Sequence, residues 1–477
     1  MNAHATHVRH CLPPSVAACP VVRVPVSQMT RPNGVTTTWS YEQYRDLVTQ
    51  VQNGTVSTYG YVNDAIGRRT SMSRSGSAYA TSDVISYTYN DRSELTGAVS
   101  NVDTTYSYSY VYDPIGNRVT ASEAGVSWTY TTNSLNQYTS ATENNVQLNF
   151  AYDLDGSMTY RPVDATSGWT QVWNGENRMV ETFKGTDRLT FRYDYMGRRV
   201  EKCVYSDNVL ASRTLFIYDG FKCVEELDAL DNNAVLMRHS WQPSDIGLDI
   251  ILATTDVNAT SYFLHDANKN VMQKTYSDGL LVNSCQYTPF GIQNSLDREN
   301  IAFSSEFSER EMALYYYNYR YYFPTFSRWL SRDPINEIDF RLIVSYAEKL
   351  DNFTMNNNYY IFVNNNPVSA YDFLGLHGVP GSGISPHWPK KPSKAFDESL
   401  KKLKEVMKNY LKYLECKNKN KERIKRRLCP IPCSMPEPLD ELSCQTICEE
   451  LYEKIHSGPF INCIDNLRDF KPPLPIP

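Results

Sequence analysis

Two carboxylates, those of Asp333 and Asp372, are the strongest candidates for chemistry in this chain of 477 residues. Two carboxylates that lie close together can act as an acid and a base, because one stays protonated while the other activates water. Each aspartate also stands at the first position of a predicted turn, where its side chain can cap the backbone without any catalytic role. The residue types alone therefore leave two interpretations open: a catalytic pair or two ordinary turn residues.

A second group of reactive side chains lies in the C-terminal tail, which holds six of the 11 cysteines of the chain. These are Cys416, Cys429, Cys433, Cys444, Cys448 and Cys463. An even number of cysteines in an exported segment of about 100 residues suggests three disulfides. Reduced thiols and a zinc site are the alternatives, although zinc sites built from four cysteines usually show tighter Cys-x2-Cys spacing. The sequence predicts no cofactor and no metal site.

The two aspartates follow segments that are rich in aromatic residues. Asp333 ends the run YNYRYYFPTFSRWLSRDP (317–334), in which tyrosines alternate with other residues as in a strand with one buried face. Pro324 ends that strand, because it has no N–H to donate. Asp372 follows a second predicted aromatic strand, Tyr359–Val363, and an Asn-rich turn. Between them, residues 337–356 predict a short helix on the surface.

Upstream of these segments, residues 36–300 repeat one pattern. Tyr-Asp or a similar pair recurs with a period of roughly twenty residues, which indicates a repeat architecture. In the clearest unit, Tyr108–Ser122, three tyrosines precede a turn in which Asp113, Pro114 and Gly116 occupy the positions that such residues favour. Each unit therefore predicts a β-hairpin with an aromatic face. Because one hairpin is only marginally stable in water, neighbouring units must stack to bury those faces.

The aromatic segments resemble the core domain of Rhs (YD-repeat) proteins, which are bacterial polymorphic toxins related to the teneurin shell. The resemblance covers an aromatic-Arg-Tyr-Tyr-x-Pro run, an Arg-aromatic-Leu-Ser-x-Asp-Pro run, Asn-Asn-Pro and Asp-x-x-Gly-Leu, between Tyr317 and Leu376. Asn336 and Phe373 depart from the family pattern, which usually has Gly and Pro there. Residues 337–357 resemble an insertion.

The resemblance implies a role for each candidate residue. In Rhs core domains the two Asp motifs flank a self-cleavage site that follows Asp-x-x-Gly-Leu, so the bond between Leu376 and His377 would be cut here. Asp333 and Asp372 would form the catalytic pair, and Arg332 would bias the charge between them. The Cys-rich tail after the cut would be the cargo, with an immunity protein as an expected partner of such a tail.

The predicted fold is mainly β: a tandem β-hairpin YD-repeat strip, forming part of a β-shell, is closed by an Rhs core domain and followed by a small α-helical, Cys-rich tail. The expected segments are an irregular N-terminal segment (1–35), the repeats (36–300), the core domain (301–376), a linker (377–394) and the tail (395–477). Helices are predicted over residues 395–415 and 439–455 by their apolar spacing. The repeat stretch is short for a closed container, so the chain resembles the last part of a larger shell.

The net charge of −6 combines a basic tail with an acidic remainder. Tail and shell should therefore attract each other at low salt, whereas the basic run lacks the aromatic platform expected for nucleic-acid binding. No apolar run approaches the roughly 18 residues that a membrane span needs. The resemblance implies a protein that is secreted or at the cell surface, although no signal peptide is recognisable. The alternatives are a non-enzymatic surface protein that binds glycans or protein partners, and a truncated copy without function.

Overall fold

The computed structural model describes residues 26–242, 250–293, 300–334 and 358–380. The chain divides into two units, Met1–Pro386 and His387–Pro477. The predicted helices over 337–356, 395–415 and 439–455 and the six tail cysteines lie outside the described residues, so they stay predictions.

Two large antiparallel sheets form most of the described chain, and in each sheet every strand pairs with its neighbours in sequence. The first sheet contains β1 (Gln28–Thr30), β2 (Thr36–Tyr41), β3 (Val48–Asn53), β4 (Ser57–Asn63), β5 (Arg69–Ser75), β6 (Asp83–Tyr89), β7 (Leu95–Ser100), β8 (Ser107–Tyr112), β9 (Arg118–Glu123), β10 (Val126–Thr132), β11 (Tyr138–Glu143) and β12 (Val146–Asn149). The strip of hairpins begins at β1, inside the segment 1–35 that the sequence presents as irregular.

The second sheet continues the same strip with 13 strands. They are β13 (Ala151–Tyr152), β14 (Met158–Pro162), β15 (Gly168–Trp173), β16 (Met179–Lys184), β17 (Asp187–Tyr193), β18 (Arg199–Ser206), β19 (Val209–Asp219), β20 (Lys222–Asp228), β21 (Ala234–Trp241), β22 (Ile251–Thr255), β23 (Thr260–His265), β24 (Val271–Thr275) and β25 (Leu281–Ser284). The fold is mainly β, as predicted. None of the described residues form a helix long and apolar enough to cross a membrane.

The β8–β9 hairpin has the geometry that its sequence predicts. Tyr108 and Tyr110 are buried on one face of the strand, while Ser109 between them is exposed. Asp113 Oδ1 accepts a hydrogen bond from the backbone N–H of Asn117 at 2.8 Å. Gly116 follows with a φ of +89°, the left-handed conformation that glycine tolerates best. The turn chemistry and the aromatic alternation therefore define each repeat together.

Several of the repeated aromatic residues, here called anchors, also tie their unit to the one before it. The hydroxyl of Tyr112 donates to the carbonyl of Leu95 at 2.9 Å, and the hydroxyl of Tyr193 donates to the carbonyl of Met179 at 2.8 Å. Where the anchor is Trp173, its indole N–H makes the equivalent bond to a carbonyl of the preceding strand. This contact requires a buried aromatic ring that also has a hydrogen-bond donor, which explains why these anchors are Tyr or Trp.

A smaller four-stranded sheet packs against the tyrosine face of the strip. It consists of β26 (Phe307–Glu309), β27 (Leu314–Tyr317), β28 (Arg320–Phe323) and β29 (Arg328–Trp329). The predicted single strand with one buried face is wrong here: Asn318 takes a φ of +52° and makes a tight turn between β27 and β28. Both faces of the hairpin are buried, because Tyr316 packs with one set of repeats and Tyr317 with another.

The prediction of a second aromatic strand over Tyr359–Val363 is also wrong. Only Ile361 makes a strand-like bridge, to Arg328, and a short 3-10 turn covers Val363–Asn365. Residues 363–365 all have positive φ values, between 39° and 57°, which no strand can accommodate. Asn tolerates this conformation better than most residues. The turn preference of the Asn-rich run therefore outweighs the strand propensity of the aromatic residues before it.

The two ends of the strip contact each other inside the first unit. Asn53 donates to the carbonyl of His265 at 3.1 Å, and Ser57 donates to Gln273 at 2.7 Å. The strip therefore turns back on itself through buried polar contacts on this side.

We predict that Gly116→Ala destabilises the chain more than Gly125→Ala, by about 1–3 kcal/mol. Both glycines have a positive φ, so both substitutions strain the backbone. An added Cβ on Gly116 would also lie 2.7 Å from Ile361 Cδ1, whereas nothing lies within 4 Å of one on Gly125. Urea denaturation followed by circular dichroism measures the difference, and equal midpoints for the two variants would contradict the packing of this turn against the core.

Candidate functional site

Asp372 lies in β30 (Ala370–Phe373), which forms a β-hairpin with β31 (His377–Pro380) at the end of the core. The connecting turn contains Leu374, Gly375 and Leu376, with φ values of +58° and +75° at Leu374 and Gly375. Asp372 Oδ1 accepts a hydrogen bond from the backbone N–H of Leu376 at 2.8 Å. The carboxyl group therefore contacts the residue that immediately precedes the predicted scissile bond.

This turn has the same hydrogen bond as the turns of the repeats. Asp113, Asp153 and Asp194 each accept the N–H of the residue four positions later, at 2.8–3.0 Å. The hydrogen bond to Leu376 is thus a property of the Tyr-Asp-x-x-Gly sequence and does not by itself indicate catalysis. What distinguishes Asp372 from the repeat aspartates is its burial, with only 2% of the residue exposed, and its charged neighbours.

Arg320 brings the two predicted carboxylates together. Its Nη2 atom lies 3.0 Å from Asp333 Oδ2 and 3.7 Å from Asp372 Oδ2. Its Nε donates to the carbonyl of Gly375 at 2.5 Å, and its guanidinium lies 4.0 Å from the ring centre of Trp329. One buried side chain therefore holds both carboxylates and the turn that contains Leu376.

The surroundings of Asp372 favour its protonated form. Burial is the main cause, and the negative charge of Asp333 adds to it, while Arg320 acts in the opposite direction; together they raise the pKa of Asp372 to about 7. Glu306 is a further buried acid near Asp372, and burial raises the pKa of Glu306 to about 8. Asp333 is more accessible, with 18% of its side chain exposed. The pair thus combines a buried acid with a raised pKa and a more exposed acid.

Arg332, the third predicted site residue, points elsewhere. A Cβ added to Gly156 would lie 2.5 Å from Arg332 Nε, so this side chain packs against a turn of the repeats. Arg332 Nε is buried and has no hydrogen-bond partner among the described residues. The arginine beside the two carboxylates is Arg320, which the sequence analysis did not single out.

A signal for Arg320 exists in the sequence. It is the one cation in the run Tyr319–Phe323, and a charged residue inside an aromatic strand has to be paired when the strand is buried. Glu306 carries no comparable signal, because its neighbours do not predict its burial. Among the described residues no group of His, Cys, Asp and Glu could hold a metal ion.

The bond between Leu376 and His377 lies where the turn meets β31, with Phe373 and His377 paired across the hairpin. Leu376 is buried, with 7% of its surface exposed. Gly375 is required at this close approach, because a Cβ there would lie 2.8 Å from the carbonyl oxygen of Tyr317. The turn is therefore seated directly on the β27–β28 hairpin that supplies Arg320.

Comparison with known proteins gives partial matches in sequence. No protein-family model matches the chain. The tRNA3(Ser)-specific nuclease WapA of Bacillus spizizenii is 29% identical over 252 residues, which are 50% of this chain and 9% of that protein. Toxin subunit YenC1 of Yersinia entomophaga is 26% identical over 245 residues, which are 45% of this chain and 22% of that protein. The chain thus spans less than a quarter of the length of these relatives.

Solved structures give a similar result at lower sequence identity. A crystal structure of TcdB2–TccC3 without the hypervariable C-terminal region aligns with 73% of this chain and 18% of that chain, with a TM-score of 0.48 and 19% identity. The motifs of the core, the hairpin strip with Tyr-Asp turns and the sequence relatives lead to one assignment. The chain is similar to the polymorphic toxins of the Rhs/YD-repeat family.

Proposed function

We propose that this chain is a carrier that cleaves itself between Leu376 and His377 and so releases residues 377–477 as its cargo. The observation that supports this most strongly is the position of Arg320, which contacts both carboxylates and the turn before the scissile bond. Ordinary turn aspartates in the repeats have the same backbone hydrogen bond, but none of the three described above is as deeply buried beside a second carboxylate.

The proposed reaction assigns one role to each acid. Asp333, which is partly exposed and paired with Arg320, is ionised and takes a proton from a water molecule. That water attacks the carbonyl carbon of Leu376, and Asp372 donates its proton to the nitrogen of His377 as the C–N bond breaks. The products are a carboxylate on Leu376 and a free amino group on His377. Arg320 stabilises the ionised acid and holds the turn in place.

The proposed biological role is that of a toxin-like protein. The relatives include a tRNA-specific nuclease and a toxin subunit, which supports delivery of a harmful C-terminal segment by a secreted or surface-attached carrier. The tail itself, with its six cysteines, would be the effector, and an immunity protein in the producing cell would be its partner. Expression of residues 377–477 alone in bacteria tests this role: arrested growth supports it, and unchanged growth with the segment in either the cytoplasm or the periplasm contradicts it.

We predict that the folded, unmutated chain gives two fragments on a denaturing gel, residues 1–376 and 377–477. Asp333→Asn and Asp372→Asn should each give one intact band, because an amide can neither hold the shared proton nor activate water. N-terminal sequencing of the smaller fragment should read His-Gly-Val-Pro. Arg320→Gln should slow the cleavage at least tenfold, since it removes the charge that stabilises one carboxylate.

Asp113→Asn is the matched control for these variants. Asp113 accepts the N–H of Asn117 at the same distance at which Asp372 accepts the N–H of Leu376. The control therefore removes a turn carboxylate of the same kind without touching the site, and it should still be cleaved. A single full-length band from the unmutated chain, with a native circular dichroism spectrum, would mean that Asp333 and Asp372 are only turn residues.

The rate of cleavage should fall as the pH rises through about 7. Asp372 must carry its proton in order to donate it, and its pKa of about 7 means that this proton is lost above neutral pH. The measurement starts from chain purified in urea and refolded by dilution at several pH values between 5 and 9, with the two fragments quantified over time. A rate that stays constant or increases between pH 7 and pH 9 would contradict the role of Asp372 as the acid.

A further inference from the structure

A cavity of about 600 Å³ lies where the two sheets of the strip separate. β12 pairs with β11, while β13 directly after it pairs with β14, so the two sheets diverge at this point. Pairing between β13 and β14 does not extend as far as Pro162, which has no N–H to donate. Leu148 and Trp169 line the two sides of the gap, and Phe326 of the core sheet region lines its inner end.

Arg161 lines this cavity and has no acidic partner among the described residues. Only 2% of the residue is exposed. Its Nη2 donates to the carbonyl of Met312 at 2.7 Å, and its guanidinium lies 4.6 Å from the ring centre of Phe323. Its Nε is buried and has no hydrogen-bond partner. A buried cation without an acidic partner is costly, so an anion bound in the cavity would stabilise this arginine.

Two other arginines in the interior of the first unit pair with acids, which Arg161 does not. Arg74 pairs with Asp83 at 2.6 Å, Arg118 pairs with Glu123 at 3.0 Å, and each of these arginines is nearly as buried as Arg161. Burial lowers the pKa of Arg161 to about 9, and no neighbouring acid counteracts that effect. The side chain nevertheless stays protonated at pH 7, so the cavity contains a full positive charge.

Three acids also line the cavity, but two of them are engaged elsewhere. Asp164 accepts hydrogen bonds from Thr166 and Ser167 in its own turn, and Glu311 pairs with Lys202 at 3.0 Å. The third acid is Glu143, and the lining also contains a second cation, Lys184, of opposite charge. Arg161 is therefore a buried cation of the cavity wall that is not ion-paired with any of these acids.

Aromatic rings form much of the remaining wall. Trp128 packs edge-on against Phe326, with ring centres 5.5 Å apart, and Lys184 Nζ lies 5.4 Å from the ring centre of Trp169. Cavities of 300–1,000 Å³ with mainly apolar walls and a few polar groups are typical small-molecule sites. Flat aromatic ligands suit walls of this kind, because rings pack well edge-to-face and in offset stacks.

We propose that this cavity binds a small aromatic carboxylate, with the carboxylate on the guanidinium of Arg161 and the ring between the tryptophan walls. This site is independent of the carboxylate pair at Arg320, and it does not depend on self-cleavage. The ligand binds as an intact molecule, and no bond is made or broken.

The test compares 2-naphthoate with its uncharged counterpart 2-naphthamide by isothermal titration calorimetry on the full chain at pH 7. The unmutated chain should bind the carboxylate about tenfold more tightly than the amide, because a charge-assisted hydrogen bond is stronger than a neutral one. Arg161→Gln should remove that preference while the affinity for the amide changes by no more than about twofold. Arg188→Gln, which removes a half-exposed arginine outside the cavity wall, should leave the preference intact.

A second variant keeps the test valid if Arg161→Gln fails to fold, which thermal denaturation would reveal. Val146 lines the cavity at a position that is 45% exposed, so Val146→Trp should fill space without disturbing the core, and it should abolish binding of both probes. The proposal is overturned if neither probe binds to the unmutated chain, if the two probes bind equally, or if Arg161→Gln keeps the preference. It is also overturned if Val146→Trp binds both probes as the unmutated chain does.

Discussion

The ion pairs of Arg320 are the interaction on which the candidate site depends. A buried guanidinium is stable only when several groups satisfy it, and here two carboxylates, a backbone carbonyl and an aromatic ring do so. These partners come from two segments of the core, 300–334 and 358–380. Arg320 therefore fixes the turn at Gly375 relative to β28. Loss of this one side chain would leave Asp372 buried without a counter-charge and would release the turn that contains Leu376.

The strip of hairpins makes this arrangement possible. Both faces of the β27–β28 hairpin are buried, and each face packs with a different set of repeats. We therefore expect the four-stranded sheet to be unstable before the strip packs against it, so that the site forms late in folding. A chain that can cleave itself only after folding would protect its cargo from premature release.

The sequence predicts the repeats well and the core less well, for physical reasons. At Gly116 the turn residues, the strand alternation and the burial pattern all agree, so the hairpin is confirmed in its details. The core departs from simple alternation because Asn318 introduces a turn inside an aromatic run and both faces are buried. Asp333 and Asp372 were recognisable from their motifs, whereas the role of Arg320 and the burial of Glu306 depend on contacts between segments that are distant in sequence.

The most direct test of this account is the kinetics of cleavage during refolding. Chain purified in urea should be diluted into native buffer at two protein concentrations that differ tenfold, with fragments quantified over time and tertiary structure followed by near-ultraviolet circular dichroism. The account predicts one first-order rate that is the same at both concentrations and a cut that begins only after the tertiary signal has returned. A rate that increases with protein concentration, or fragments that form before the tertiary signal, would contradict it.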